Sequence, residues 1–152
     1  MGEKIMSIIE KKLTQAEIFC QNYEPELAIS ILNEVIADSN STDSEIAEAL
    51  TLKGIAVDLA PYLAEDQQNY SALIYFQKAL EYDPHNIYIL FNILSSFSCI
   101  DMMQEYTQKN KGAFINAYDV LKNDLYDTLN EKLKNDLRKF SSKYNKFREE
   151  EF

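Results

Sequence analysis

Apolar residues recur every three or four positions along most of the chain, which is the spacing of one face of an α-helix. Five such stretches lie within the first hundred residues, and no competing stretch alternates apolar and polar residues as a half-buried strand does. The pattern therefore predicts an all-α fold. The predicted helices span residues 4–21, 25–38, 43–60, 67–82 and 86–100.

Capping and turn residues mark the ends of these helices. Pro25 suits the first turn of the second helix, and Thr42 with Glu45 is expected to form a capping box at the start of the third. Pro61 should end or kink the third helix, and the pair Asp83-Pro84 should stop the fourth. The fifth helix is apolar on nearly all sides, which is typical of a helix at the centre of a fold.

The pattern after residue 100 is looser. Residues 101–110 are expected to form a short helix, followed by Gly112. Between residues 113 and 148 apolar side chains again recur every three or four positions, so this segment is one long amphipathic helix or two helices in line. The length and composition predict a single domain over residues 1–152.

The fourth helix and its turn, residues 72–86, read Ala-Leu-Ile-Tyr-Phe-Gln-Lys-Ala-Leu-Glu-Tyr-Asp-Pro-His-Asn. This segment resembles the second helix and closing turn of a tetratricopeptide repeat (TPR). In that repeat a small residue, here Ala72, lets two helices approach, and an aromatic residue, here Phe76, fills the gap. A second small residue, Ala79, and an Asp-Pro turn complete the resemblance.

The resemblance covers residues 5–100 and fades over residues 101–152, which would hold a degenerate third unit and the C-terminal helix. It implies antiparallel helix pairs stacked as a short TPR-like solenoid. Stacked pairs cannot bury their faces without a terminal cap. The long C-terminal helix is expected to supply that cap.

In tetratricopeptide-repeat proteins the first helix of each pair lines a concave groove that holds a peptide or a helix. The resemblance implies a groove that is apolar at one end and acidic at the other, suited to a basic or amphipathic segment. For Tyr88 and Phe91 the alternative is packing against the C-terminal helix. The residues implied to line the groove are Leu13, Glu17, Gln21, Lys53, Val57, Tyr88, Phe91, Asn92 and Ser95.

Charge is distributed unevenly along the chain. The 25 acidic and 15 basic residues give a net charge of -10, and residues 101–152 hold equal numbers of both. An acidic body repels phosphate backbones, so we expect no nucleic-acid partner; it attracts a basic protein, or serves solubility alone. We expect the basic residues of the last segment either to form a solvated face or to contact a partner protein or the acidic body of another copy. They are Lys132, Lys134, Arg138, Lys139, Lys143, Lys146 and Arg148.

We expect no catalytic, cofactor or metal site. The sole histidine, His85, lies in the Asp-Pro turn, and a zinc site would need further ligands from distant positions. Three glycines cannot build a phosphate-binding loop. Cys20 and Cys99 are expected to be buried free thiols. With no signal peptide and no apolar run long enough to span a membrane, we expect a cytoplasmic protein without a membrane partner.

These observations predict a non-enzymatic protein–protein interaction module, either a small adaptor or a partner-specific chaperone. This prediction depends on the repeat resemblance and on the missing catalytic residues. The alternative is an acidic immunity or inhibitor protein that neutralises a basic toxin or nuclease. That alternative depends on the net charge of -10.

Overall fold

The computed structural model describes residues 6–64, 72–97 and 104–150. The described residues are helical and include no strand, so the fold is all-α, as the sequence predicts. The chain divides into two compact units, Met1–Pro84 and His85–Phe152, which we call unit 1 and unit 2. The helices of the described residues are α1 (Ile8–Gln21), α2 (Pro25–Ala37), α3 (Asp43–Leu59), α4 (Ala72–Tyr82), α5 (Ile87–Ser95), α6 (Gln104–Asp119), α7 (Glu131–Arg138) and α8 (Ser141–Glu149).

The two compact units do not test the predicted single domain, which stays a prediction; their boundary lies earlier than residue 100, where the sequence pattern loosens. The boundary falls after Pro84, because α5 packs against α6 and belongs to unit 2. The apolar pattern of α5 shows that the helix is buried, but it does not show which neighbour buries it.

In unit 1, α1 packs against α2 and α3, α2 packs against α3, and α3 packs against α4. Local signals set the helix ends. Pro25 occupies the first turn of α2, and the capping box of Thr42 and Glu45 is present at the start of α3. Pro61 begins a short 3-10 turn directly after α3. The predicted start of the fourth helix, residues 67–71, lies outside the described residues.

The central helix of unit 1 is α3, which is buried on nearly all of its faces. It approaches α4 most closely at Gly54. A Cβ atom placed on Gly54 would lie 2.9 Å from Cε1 of Phe76 and 3.0 Å from Cβ of Tyr75. It would also lie 3.1 Å from the backbone oxygen of Ala72. The missing side chain of Gly54 is therefore what allows the two helices to lie this close.

In unit 2, α6 packs against α5, and α8 folds back against α6. Residues further along α6 contact residues earlier in α8, so the two helices run antiparallel. The contacting pairs are Lys111–Glu150 (3.7 Å between Nζ and Oε2), Phe114–Phe147 (ring centroids 5.2 Å apart) and Tyr118–Tyr144 (stacked rings, centroids 4.2 Å apart).

The prediction of one long helix, or two helices in line, over residues 113–148 is wrong. α6 continues into a π-helical turn at Val120–Asp124 and a 3-10 turn at Tyr126–Thr128. A new helix, α7, then begins after Asn130, whose side chain caps it. A second break at Phe140 lets α8 return to α6. The segment therefore packs against itself rather than forming one straight cap.

Two further boundaries differ from the sequence prediction. α5 ends at Ser95 rather than at residue 100, and residues 98–103 lie outside the described residues. Gly112 does not follow a short helix but lies inside α6. In the described part of the chain, no atom other than the neighbouring backbone of α6 lies within 4 Å of the position that its Cβ would take. Among the helices that the structure describes, none has the length and apolarity needed to cross a membrane.

Candidate partner-binding site

A recess of about 420 Å³ opens on unit 1 between the N-terminal parts of α1 and α3. Leu13, only 3% exposed, is a buried apolar residue of its wall, and Met6, two residues before α1, is exposed. Three carboxylates complete a lining that is apolar and acidic. The lining residues are Met6, Glu10, Leu13, Thr14, Thr42, Glu45 and Glu48.

Two helix starts bring these acids together. The hydroxyl of Ser7 caps α1 by accepting a hydrogen bond from the N–H of Glu10 at 3.1 Å, and Thr42 caps α3 by accepting one from the N–H of Glu45. Acidic residues are favourable in a first helical turn because they face the positive end of the helix dipole. Since α1 and α3 both contribute their N-terminal parts to the recess, their acidic first turns lie side by side.

The carboxylates around the recess repel one another. Burial raises the pKa of Glu48, and the negative charges of Glu17 and Glu45 raise it further. The pKa of the Cys20 thiol is also raised, first by burial and then by Glu17. Among the residues that the structure describes, no ion pair joins Glu10, Glu17 or Glu48 to a lysine or arginine. A cation bound here would relieve this repulsion.

Three of the predicted groove residues lie on α1. Leu13 lines the recess. Glu17 is exposed and close enough to Glu48 to raise its pKa. Gln21 is exposed in the last turn of α1 and is not among the lining residues. The recess therefore brings together one predicted residue and, at its edge, a second.

The predictions for Lys53 and Val57 are corrected by their burial. Val57 is fully buried, and Lys53 is 6% exposed with its Nζ 5.6 Å from the ring centroid of Tyr75. The physical reason is that α3 packs against three helices, α1, α2 and α4. The flank of α3 that was expected to face a partner is therefore part of the core.

The remaining four predicted residues lie on α5 in unit 2. Tyr88 is 59% exposed, so its ring is not packed in the core as the alternative interpretation expects. Phe91 is half-buried and Ser95 is exposed. Within the described structure the amide nitrogen Nδ2 of Asn92 is buried without a hydrogen-bond partner. These residues belong to unit 2, whereas the recess is built from unit 1 alone.

Sequence reasoning missed the three carboxylates that line the recess, Glu10, Glu45 and Glu48. A usable signal was present, since Ser7 and Thr42 each precede an acidic first turn. In a stack of antiparallel pairs the first helices of successive pairs run in the same direction. Two such capped starts would then be expected to lie next to each other.

The prediction that both cysteines are buried free thiols is tested only for Cys20. Cys20 is a buried free thiol, as predicted, and Cys99 lies outside the described residues. In the described part of the chain, no group of three or more His, Cys, Asp or Glu side chains is arranged to hold a metal ion.

Comparison of the chain with protein-family models, with curated proteins and with solved structures finds no match.

Proposed function

We propose that this protein is a non-enzymatic interaction module, an adaptor or partner-specific chaperone, whose unit 1 binds a basic amphipathic segment of another protein. The observation that carries the proposal is the recess between α1 and α3. A helical segment with lysine or arginine beside leucine would place its cations among Glu10, Glu45 and Glu48. Its apolar residue would cover Met6, the exposed apolar residue of the lining, as in other complexes of an amphipathic helix in a groove.

We also propose that α1 to α4 are two TPR-like helix pairs. In support, each of these helices packs against the next in the chain, and α1 also contacts α3. The close approach at Gly54, opposite the segment that resembles the repeat, supports the same arrangement. A cytoplasmic location belongs to this proposal, and the buried free thiol of Cys20 agrees with it.

The proposal is tested with a synthetic helical peptide that carries lysine on one face and leucine on the other. We expect this peptide to bind, measured by fluorescence anisotropy, and its affinity to fall as salt screens the charges. Glu48→Lys should weaken binding by about threefold to tenfold, because one attraction becomes a repulsion. Asp58→Lys makes the same charge change at an exposed residue in the last turn of α3, outside the recess lining, and should leave the affinity unchanged.

A matched peptide with glutamate in place of lysine controls for apolar binding. Equal affinity for the two peptides, or equal effects of Glu48→Lys and Asp58→Lys, would contradict the proposal. Binding would then depend on an apolar surface, and Tyr88 on α5 would be the first residue to truncate.

The second candidate function, neutralisation of a basic toxin or nuclease, is favoured by one observation. Residues 1–84 contain 15 acidic and five basic side chains, so the net charge of -10 lies entirely in unit 1. The discriminating experiment is affinity capture followed by an activity assay of the captured protein. A basic enzyme or toxin that loses its activity at one equivalent of this chain favours neutralisation. A partner that stays active favours the adaptor.

A further inference from the structure

The helices α7 and α8 carry a basic surface. Residues 131–149, which include both helices, contain seven lysines and arginines and three acidic residues. Asp136 pairs with Lys132 at 3.6 Å and with Lys139 at 3.4 Å, and Glu131 pairs with Lys134 at 3.8 Å. These short-range pairs use two of the three acids, and with Glu149 counted the segment still has an excess of positive charge.

The excess charge points outward. Arg138 donates to the amide oxygen of Asn135, and Lys143 donates to the backbone carbonyl of Phe97 at 2.8 Å. Because both acceptors are neutral, neither contact cancels the positive charge. The exposed cations of this segment, which we call the basic face, are Lys132, Arg138, Lys139, Lys146 and Arg148.

Unit 1 has the complementary charge. Unit 2 contains ten acidic and ten basic residues, whereas unit 1 has three times as many acidic as basic ones. The recess gathers three of those acids, and Glu17 adds a fourth negative charge close to Glu48. Every copy of the chain thus carries both an acidic recess and a helical, basic face.

We propose that the basic face of one copy docks on the acidic recess of a second copy. This inference rests on the proposed function, since it takes the recess to be a site for basic helical segments. Because each copy offers both surfaces, one contact between a basic face and a recess joins two copies in a dimer. Exposed ion pairs are weak and screened by salt, so the dimer is weak and salt-dependent. It keeps the recess covered until a stronger basic partner displaces the second copy.

Sedimentation equilibrium of the full chain tests this inference. At roughly 0.05 M salt the mass should rise with protein concentration towards twice that of the chain, and at roughly 0.5 M salt it should return to that of one chain. Glu48→Lys and Lys146→Glu should each weaken the dimer by about threefold to tenfold. The matched controls Asp58→Lys and Lys109→Glu change exposed residues outside the two surfaces and should not weaken it.

Mixing the two variants gives the sharpest test. Glu48→Lys makes the recess more positive and Lys146→Glu makes the basic face more negative, so each variant should associate poorly with itself. An equimolar mixture should recover the dimer, because each altered surface then meets its opposite. Failure of the mixture to recover, or effects equal to those of the controls, would overturn the inference.

The inference and the proposed function can fail separately. If the unmodified chain stays a monomer at low salt but binds the lysine peptide, the second copy is not an occupant of the recess and the proposed function stands. If the chain neither dimerises nor binds the peptide, both are wrong. Circular dichroism of each variant establishes that a loss of association is not a loss of helix.

Discussion

The two units are built from helices but pack them with different side chains. In unit 1 helices meet at small residues, with Gly54 at the closest approach. In unit 2 they meet at aromatic rings. The fully buried alanines of unit 1 are Ala16, Ala28, Ala47, Ala49, Ala56 and Ala79, and the central rings of unit 2 are Phe97, Phe114, Phe140 and Phe147.

This difference predicts that the stability of the two units responds in opposite ways to enlarging and to truncating a side chain. A contact between small residues leaves no room for added atoms, so unit 1 should tolerate enlargement poorly. A contact between rings buries a large area in few side chains, so unit 2 should tolerate truncation poorly. Substitutions that add or remove atoms at matched positions therefore separate the two kinds of packing.

The largest effect is expected from truncating the ring at the centre of unit 2. Phe114 is fully buried, and its ring centroid lies 5.4 Å from that of Phe97, 6.0 Å from that of Phe140 and 5.2 Å from that of Phe147. Phe114→Ala should lower the free energy of unfolding by about 3–5 kcal/mol. Urea unfolding measures the loss, and hydrogen exchange should assign it to unit 2. Tyr88→Ala, at an exposed ring, is the control, and a similar loss there would contradict the comparison.

The next effect compares two glycines that both lie inside helices. Gly54→Ala should destabilise unit 1 by about 1–3 kcal/mol, because the new Cβ would overlap Phe76, Tyr75 and the backbone of Ala72. Gly112→Ala meets no described atom within 4 Å outside the backbone of its own helix, and it should stabilise α6 by about 0.5–1 kcal/mol through helix propensity. Thermal melts of both variants give the comparison. Shifts of the same sign would show that packing at Gly54 is not close.

A smaller effect is expected where α8 meets α6. The hydroxyl of Tyr144 donates to Oδ1 of Asp119 at 2.5 Å. This hydrogen bond is the main reason that the pKa of Tyr144 is raised; burial and the charge of Asp119 add to it, and Arg148 opposes it. The folded state therefore favours the protonated phenol. Its contribution to stability is complete below about pH 10 and is lost as the pH rises through the folded-state pKa.

Tyr144→Phe should accordingly cost about 0.5–1 kcal/mol at neutral pH, since the contact is only partly buried. The variant should also lose less stability than the natural chain when the pH is raised beyond about 10. Urea unfolding at neutral and alkaline pH measures both differences. A parallel pH dependence in the two proteins would show that Tyr144 does not titrate with folding.

The smallest effect is expected at the acidic recess of unit 1. The pKa of Glu48 is raised by burial and by Glu17 and Glu45, so the folded state favours its protonated form. That contribution is complete below the unfolded value of about 4.3 and is lost as the pH rises through the folded-state pKa. Glu48→Gln should therefore stabilise unit 1 at pH 7, by about 0.2–0.5 kcal/mol. Asp58→Asn is the matched control, and an equal gain there would assign the effect to net charge rather than to the recess.

Features encoded by a few neighbouring residues were predictable from the sequence. The helical class follows from spacing, the start of α3 from the pair Thr42 and Glu45, and the end of α3 from Pro61. Features that depend on distant packing were not predictable in the same way. α3 is buried on nearly all its faces, so no periodic stripe distinguishes Val57 in the core from a residue that faces a partner.

The break in the predicted long helix shows how spacing can mislead. Five leucines recur at intervals of four residues, which looks helical. Each step of four residues rotates about 40° beyond a full turn, so four steps rotate about 160° around the axis. No single straight face can hold all five, and the π turn and the new helix at Asn130 resolve the conflict. The leucines are Leu121, Leu125, Leu129, Leu133 and Leu137.

The acidic recess was also only partly predictable from the sequence. Its acids are explained locally by two helix caps, yet the recess exists because α1 and α3 lie side by side. Of its lining, Leu13 was predicted because the repeat resemblance placed it on the inner face of α1. The resemblance supplied a register for single helices, whereas the recess depends on where two helices begin.

The return of α8 has a consequence for the order in which the chain folds. Unit 1 is built mainly from contacts between helices that follow each other, whereas the hydrogen bond from Lys143 to Phe97 joins residues 46 positions apart. Contacts between distant residues form more slowly because a longer loop must be closed first. Unit 1 also leaves the ribosome first and can fold while the rest is being made. Unit 2 must wait for its final helix, and until then the rings of Phe97 and Phe114 lack the covering that Phe147 provides.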